Sequence, residues 1–114
     1  MRTAKTIFPI VVFLAGIILY LPVNFTTAPI AKPQTHVVEI KQMKFNPAEL
    51  TVNKGDTVVF VNKDVLRHDA TETTGKSWKS PALASGQSWK VVATKSASYY
   101  CSFHPVMKGK IIVK

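Results

Sequence analysis

The sequence predicts an all-β domain, a sandwich or barrel of short strands, behind an apolar N-terminal helix. Three observations carry this. Apolar and polar residues alternate with period two in several short runs between His36 and Lys114. Those runs are separated by turn-forming residues. No window of about a dozen residues beyond the leader carries a helical stripe.

The elements follow in chain order. Arg2 and Lys5 precede an uncharged run from Ile7 to Val23. A basic start followed by an apolar stretch is a secretory pattern. At 17 residues the run is slightly short of the roughly 20 that span a bilayer. Around Thr27-Ala28-Pro29 and Ile30-Ala31 the prolines spoil small-residue cleavage sites. Residues 1–23 are therefore read as a signal peptide or an N-terminal membrane anchor. Either reading leaves the basic start inside and the rest extracytoplasmic, in the periplasm or at the cell surface. Residues 24–35, with Pro29 and Pro33 among polar residues, read as an extended linker. The folded domain is expected over 36–114.

Within it, His36–Met43 puts Val38 and Ile40 on one face and Glu39 and Lys41 on the other. Ala48, Leu50 and Val52 repeat that pattern. Lys54-Gly55-Asp56 is turn chemistry. Thr57–Val61 is β-branched and apolar, which suits a central strand. Ser77–Leu83 reads as irregular. Further strands are expected over Gln87–Ala93, Ser98–Ser102 and Lys110–Lys114. Met43 reads as a packing residue, and His36 as a surface residue without a partner.

The 114 residues allow one small core. The single cysteine excludes an internal disulfide, a four-cysteine zinc site and an iron–sulfur cage. A chain this small favours a binding or carrier module over an enzyme.

The informative segment is Tyr99-Tyr100-Cys101-Ser102-Phe103-His104-Pro105-Val106-Met107. It presents a thiol, an imidazole and a thioether at i, i+3 and i+6, where a strand gives way to a Pro-containing loop. A second imidazole, His68, lies beyond the Thr57–Val61 strand. Two His, one Cys and a weak axial Met form the donor set expected of electron-transfer copper. The thiolate suits Cu(I), imidazole suits both oxidation states, and an intermediate geometry lowers the reorganisation on electron transfer. Phe103, Pro105 and Val106 are expected to limit water near the metal. A free thiol in an oxidising compartment is itself a reason to look for a ligand role.

On these residues the chain resembles the cupredoxins, the type 1 blue copper proteins. The resemblance runs from about Val38 to Lys114. It includes Met43-Lys44-Phe45, Pro47-Ala48-Glu49-Leu50, Lys54-Gly55-Asp56-Thr57-Val58 and Tyr100-Cys101-Ser102-Phe103-His104-Pro105-Val106-Met107-Lys108-Gly109-Lys110. The short spacing from His104 to Met107 is similar to the amicyanin branch rather than to plastocyanins or pseudoazurins. The resemblance implies a Greek-key β-sandwich of seven or eight strands. It implies one Cu(I)/Cu(II) ion with His68, Cys101 and His104 as equatorial ligands, Met107 as axial ligand, and electron passage through the exposed edge of His104. Two positions depart from the pattern: Arg67 stands where Pro is usual, and Asp69 where an Asn ties the two ligand loops together. Asp69 can accept hydrogen bonds but cannot donate as an amide does, so the tie and the potential are expected to differ.

The formal charge of +9 splits into +3 on the leader and linker and +6 on the domain, where twelve basic residues face six acidic ones. From Thr73 onward there are seven lysines and no acid. Such a domain suits a redox partner with an acidic docking surface. It carries no nucleic-acid motif. Membrane association is expected only through residues 7–23 or by attraction to anionic lipid. The leading functional expectation is a monomeric, non-enzymatic one-electron carrier. The alternative is a copper-binding protein for delivery or storage.

Overall fold

The computed structural model describes residues 3, 4, 6, 9–29 and 31–114. Arg2, Lys5 and the beginning of the apolar run at Ile7 lie outside the described residues. Among the described residues eight strands run in the order β1 (Thr35–Lys41), β2 (Lys44–Asn46), β3 (Glu49–Val52), β4 (Thr57–Asn62), β5 (Thr71–Glu72), β6 (Ser88–Val92), β7 (Ala97–Cys101) and β8 (His104–Val113). They form two four-stranded sheets, ordered β2-β1-β4-β6 and β3-β8-β7-β5. β1 pairs parallel with β4, and β3 with β8. The other pairings are antiparallel.

The helix expected over the apolar run is not present among the described residues 9–29. Those side chains are exposed, and no helix there is long and apolar enough to cross a membrane. An isolated helix of this length is marginal without a bilayer or packing surface. β2 and β5 were also not anticipated. At three and two residues they are too short to show a period.

Alternation holds where it was read. Val38 and Ile40 of β1 and Val58 and Phe60 of β4 are fully buried. β4 lies between β1 and β6, as its β-branched run suggested. Ala48 departs from the pattern and is exposed, since β3 begins one residue after it. Between the sheets, the Tyr99 ring meets Phe45 and Phe60 edge-on, with ring centroids 4.8 and 5.1 Å away. Such edge-to-face contacts suit the ring quadrupoles.

The parallel pairing places the sandwich's two poles. β1 and β4 both start near Gln34 and Asp56 and end at Lys41 and Asn62. The linker therefore enters at the pole opposite Cys101 and His104. Asp56 seals that entry: its carboxylate accepts the backbone N–H groups of Gln34 and Asn53 and faces His36 Nε2 at 2.9 Å. His36 is thus half-buried with a partner, not the unpartnered surface residue expected.

Glu72 is buried at the end of β5, where it organises the turn that follows the strand. It accepts hydrogen bonds from the Thr74 hydroxyl and from the backbone N–H groups of Thr74, Gly75 and Ser77. These bonds, the Thr74 hydroxyl foremost, hold its pKa well below the ordinary 4.5, at about 2. A depressed carboxylate contributes stability above its unfolded pKa and loses it as pH falls through the folded one. Thermal melts of the metal-free chain should therefore lose stability between pH 4.5 and about 2. Glu72→Gln should melt lower at neutral pH and show a flatter decline across that window. Parallel declines in the two proteins would contradict this role.

Candidate metal centre

Four structural features bring the metal-ligating candidates to one pole. β7 delivers Cys101 inward, fully buried. A two-residue turn, Ser102-Phe103, then reverses the chain, so Cys101 and His104 are direct cross-strand partners. A register shift between Tyr100 and Cys101 breaks the ladder just before the turn, re-aiming the thiol. Three residues along β8, Met107 returns to the interior face and is buried.

His68 arrives from the other sheet and is also fully buried. Its backbone exchanges both hydrogen bonds with Leu83, 3.2 and 2.8 Å long. Asn62, at the end of β4, braces the same loop. Its amide donates to the carbonyls of Leu66 and Leu83, and its oxygen accepts the Asp64 N–H. The result places Cys101 Sγ 3.7 Å from His68 Nδ1. The His104 ring lies with its centroid 5.1 Å from that of His68.

The tautomer of His68 follows from its outer contact. Nε2 lies 2.8 Å from Asp64 Oδ2. An ionised carboxylate only accepts, so Nε2 carries the proton and Nδ1 keeps a lone pair toward the thiol. Asp64 does more than orient the ring. It also accepts the N–H groups of Gln42 and Met43, each at 3.0 Å. These two residues close the β1–β2 hairpin with φ of 53° and 60°. That conformation normally draws Asn or Gly. Asp64 thus offsets the strain of an unusual turn and fixes the imidazole with the same carboxylate. Its own pKa is lowered, first by the Met43 N–H and then by the other donors acting against burial. In the sequence Asp64 stands only as one charge among others in the His68 loop. Its i, i+4 spacing to His68 is the signal that was available. Met43, read as packing, sits at this turn and is 37% exposed.

Asp69 resolves the departure at its position. It is buried, and Oδ1 accepts the Ser102 N–H at 2.7 Å, while Oδ2 accepts the Ser102 hydroxyl. The two ligand loops are therefore tied, with Ser102 donating to the carboxylate twice, and the Thr71 hydroxyl adds a third donor to Oδ1 at 3.4 Å from the same side as Asp69. The Asp69 N–H points at Cys101 Sγ, 3.5 Å away. Arg67 is exposed.

The donor set fits a copper ion. Sulfur and nitrogen bonded to one first-row metal at about 2.3 and about 2.0 Å stand 3.7 Å apart when they subtend about 120°. That is the trigonal angle of a His2Cys site. No three His, Cys, Asp or Glu side chains among the described residues already meet at one point. His68 and Cys101 are buried side by side, and His104 is partly exposed beside them. One expectation fails: Phe103, Pro105 and Val106 are exposed and line the outside of the pole rather than shielding its interior. Water is excluded instead by the burial of His68, Cys101 and Met107 themselves.

Residues 33–114 match the family model of copper-binding proteins of the plastocyanin/azurin family. Amicyanin of Paracoccus denitrificans is 32% identical over 84 residues, covering 68% of this chain and 64% of the relative, so the chain spans about two thirds of that protein's length. Amicyanin-alpha of Methylorubrum extorquens is 34% identical over 83 residues, covering 68% of this chain and 70% of the relative. Among solved structures, a methionine-to-glutamine variant of amicyanin in its Cu(I) form superposes with a TM-score of 0.66 at 30% identity. That match covers 70% of this chain and 82% of the other. A reduced proline-to-phenylalanine variant of amicyanin superposes with a TM-score of 0.65 at 33% identity, covering 68% and 80%.

Proposed function

Because this chain belongs to the plastocyanin/azurin family of copper-binding proteins and its cofactor is one copper ion, we propose that it is an extracytoplasmic one-electron carrier. The observation that carries this reading is the buried Cys101 Sγ–His68 Nδ1 pair at 3.7 Å. His68 through Nδ1, Cys101 through Sγ, His104 and Met107 are the residues that would hold the ion.

The bound copper supplies a Cu(II)/Cu(I) couple. The chain does the rest by holding still. Asn62, Leu83 and Asp64 fix the His68 ring, and Asp69 fixes the Cys101–His104 turn through Ser102. A frame that does not move between two charge states keeps the barrier to electron transfer low. Thiol ionisation on metal binding releases one proton. No substrate bond is made or broken.

His104, half-exposed beside the buried ligands, is the route for the electron. Exposed Val65, Leu66 and Phe103 lie on the loops near it and Val106 on β8, with Lys63, Arg67 and Lys108 close by in the chain. An apolar centre with a cationic rim suits brief docking of an acidic redox protein.

Adding Cu(II) to the purified protein should produce an intense thiolate-to-copper band in the visible region that bleaches reversibly on reduction. Cys101→Ser should abolish the band, and its persistence would sink the assignment. Rapid loss of copper to a mild chelator, with poor redox reversibility, would point to delivery or storage.

A further inference from the structure

All twelve basic side chains of the domain are exposed, whereas its acids are largely withdrawn. Asp56, Asp69 and Glu72 are buried, and Asp64 spends both oxygens on internal donors. Only Glu39 and Glu49 remain to offset the surface. The formal +6 therefore understates what a partner meets.

This imbalance is most complete at the pole where the linker enters. The Gly55 N–H bonds the Ala93 carbonyl, Val113 N–H bonds the Ser96 hydroxyl, and Lys114 N–H bonds the Val52 carbonyl. These contacts gather the chain segments bearing Lys54, Lys95 and Lys114 around the entry point at Gln34. The acid there, Asp56, is 2% exposed and engaged by Gln34, His36 and Asn53. Lys32 extends the charge onto the linker. The ten linker residues before Gln34 reach at most about 35 Å. They connect this pole to an apolar segment.

We infer that Lys54, Lys95 and Lys114, with Lys32, form a cationic collar that seats the linker pole on anionic phospholipid headgroups. The collar rests on the reading of residues 7–23 as a retained anchor. It turns His104 away from the bilayer, toward soluble partners. Lipid is favoured over an acidic protein because the anchor brings this pole, and not the His104 pole, closest to the membrane. Polybasic segments beside an anchor bind anionic bilayers, and salt screens the attraction.

The test uses the full chain with vesicles of neutral phosphatidylcholine, with or without phosphatidylglycerol. Lysine acylation read by mass spectrometry should slow about fivefold or more at Lys54, Lys95 and Lys114 in the anionic vesicles. Lys63 and Lys108 should be unaffected, and high salt should reverse the protection. Hydrogen exchange in loops 53–56 and 93–96 should slow likewise, and a Lys54→Glu, Lys95→Glu, Lys114→Glu variant should lose that effect. Equal acylation in both vesicle types, or protection at Lys63 and Lys108 instead, overturns the collar. The anchor is read separately by flotation with neutral vesicles. If the chain does not float, the anchor reading fails, and the lysine pattern on anionic vesicles still decides the collar.

Discussion

Asp69→Asn should raise the reduction potential of the copper-loaded protein by on the order of 50–100 mV. Asp69 is buried and its backbone N–H points at Cys101 Sγ from 3.5 Å, so its carboxylate is among the charges nearest the centre. Both of its oxygens accept from Ser102, by the N–H at 2.7 Å and by the hydroxyl. Two donors from one residue suit an ionised acceptor. A fixed negative charge favours Cu(II) over Cu(I) and so depresses the potential. At about 7 Å and an effective dielectric near 20, one unit charge is worth about 2 kcal/mol. Asparagine removes the charge but can still accept the Ser102 N–H. The visible band and the rate of copper loss should therefore change little. Asp69→Ala should raise the potential similarly and also speed copper loss, because the tie between the loops goes with it. An unchanged or lowered potential in Asp69→Asn would refute the electrostatic account. Equal copper loss in the two variants would refute the mechanical one.

Gly109→Ala should be the most damaging small substitution in β8. A Cβ there would lie 2.2 Å from Tyr99 Cζ and 2.3 Å from its hydroxyl oxygen. Tyr99 cannot move aside freely, because its ring is packed against Phe45, Phe60 and Trp78. Its hydroxyl is buried without a hydrogen-bond partner among the described residues, and burial pushes its pKa up. Overpacking of this kind costs about 3 kcal/mol, which in a domain this size lowers the melting midpoint by roughly 15 °C. The strand also carries His104 and Met107, so a shifted β8 should disturb the copper spectrum as well. Tyr99→Leu should partly rescue Gly109→Ala, by about 1 kcal/mol or more in a double-mutant cycle. Strict additivity of the two changes would show that the clash is relieved elsewhere.

Much of the domain was legible without coordinates. Period-two alternation in β1 and β4 reflects a physical rule that acts on neighbouring residues, so a linear reading finds it. Cys101, His104 and Met107 lie within seven residues, so a linear reading finds them together. The structure lays His68 Nδ1 3.7 Å from Cys101 Sγ, a contact across 33 positions.

What only tertiary structure decided are relations between residues far apart in the chain. Asp64 bracing both His68 and the Gln42-Met43 turn depends on two loops meeting. Asp69 gripping Ser102 spans 33 positions and shows that a carboxylate can keep the tie an amide would make. Gly109 matters because a tyrosine on the neighbouring strand fills its missing side chain. The charge count changed meaning in the same way. The composition determined a basic domain, but burial decided which charges remain outside. Four of six acids turned inward to satisfy backbone N–H groups, hydroxyls and two imidazoles, because a folded chain leaves few such donors unpaired. The lysines, with no such task, stayed at the surface.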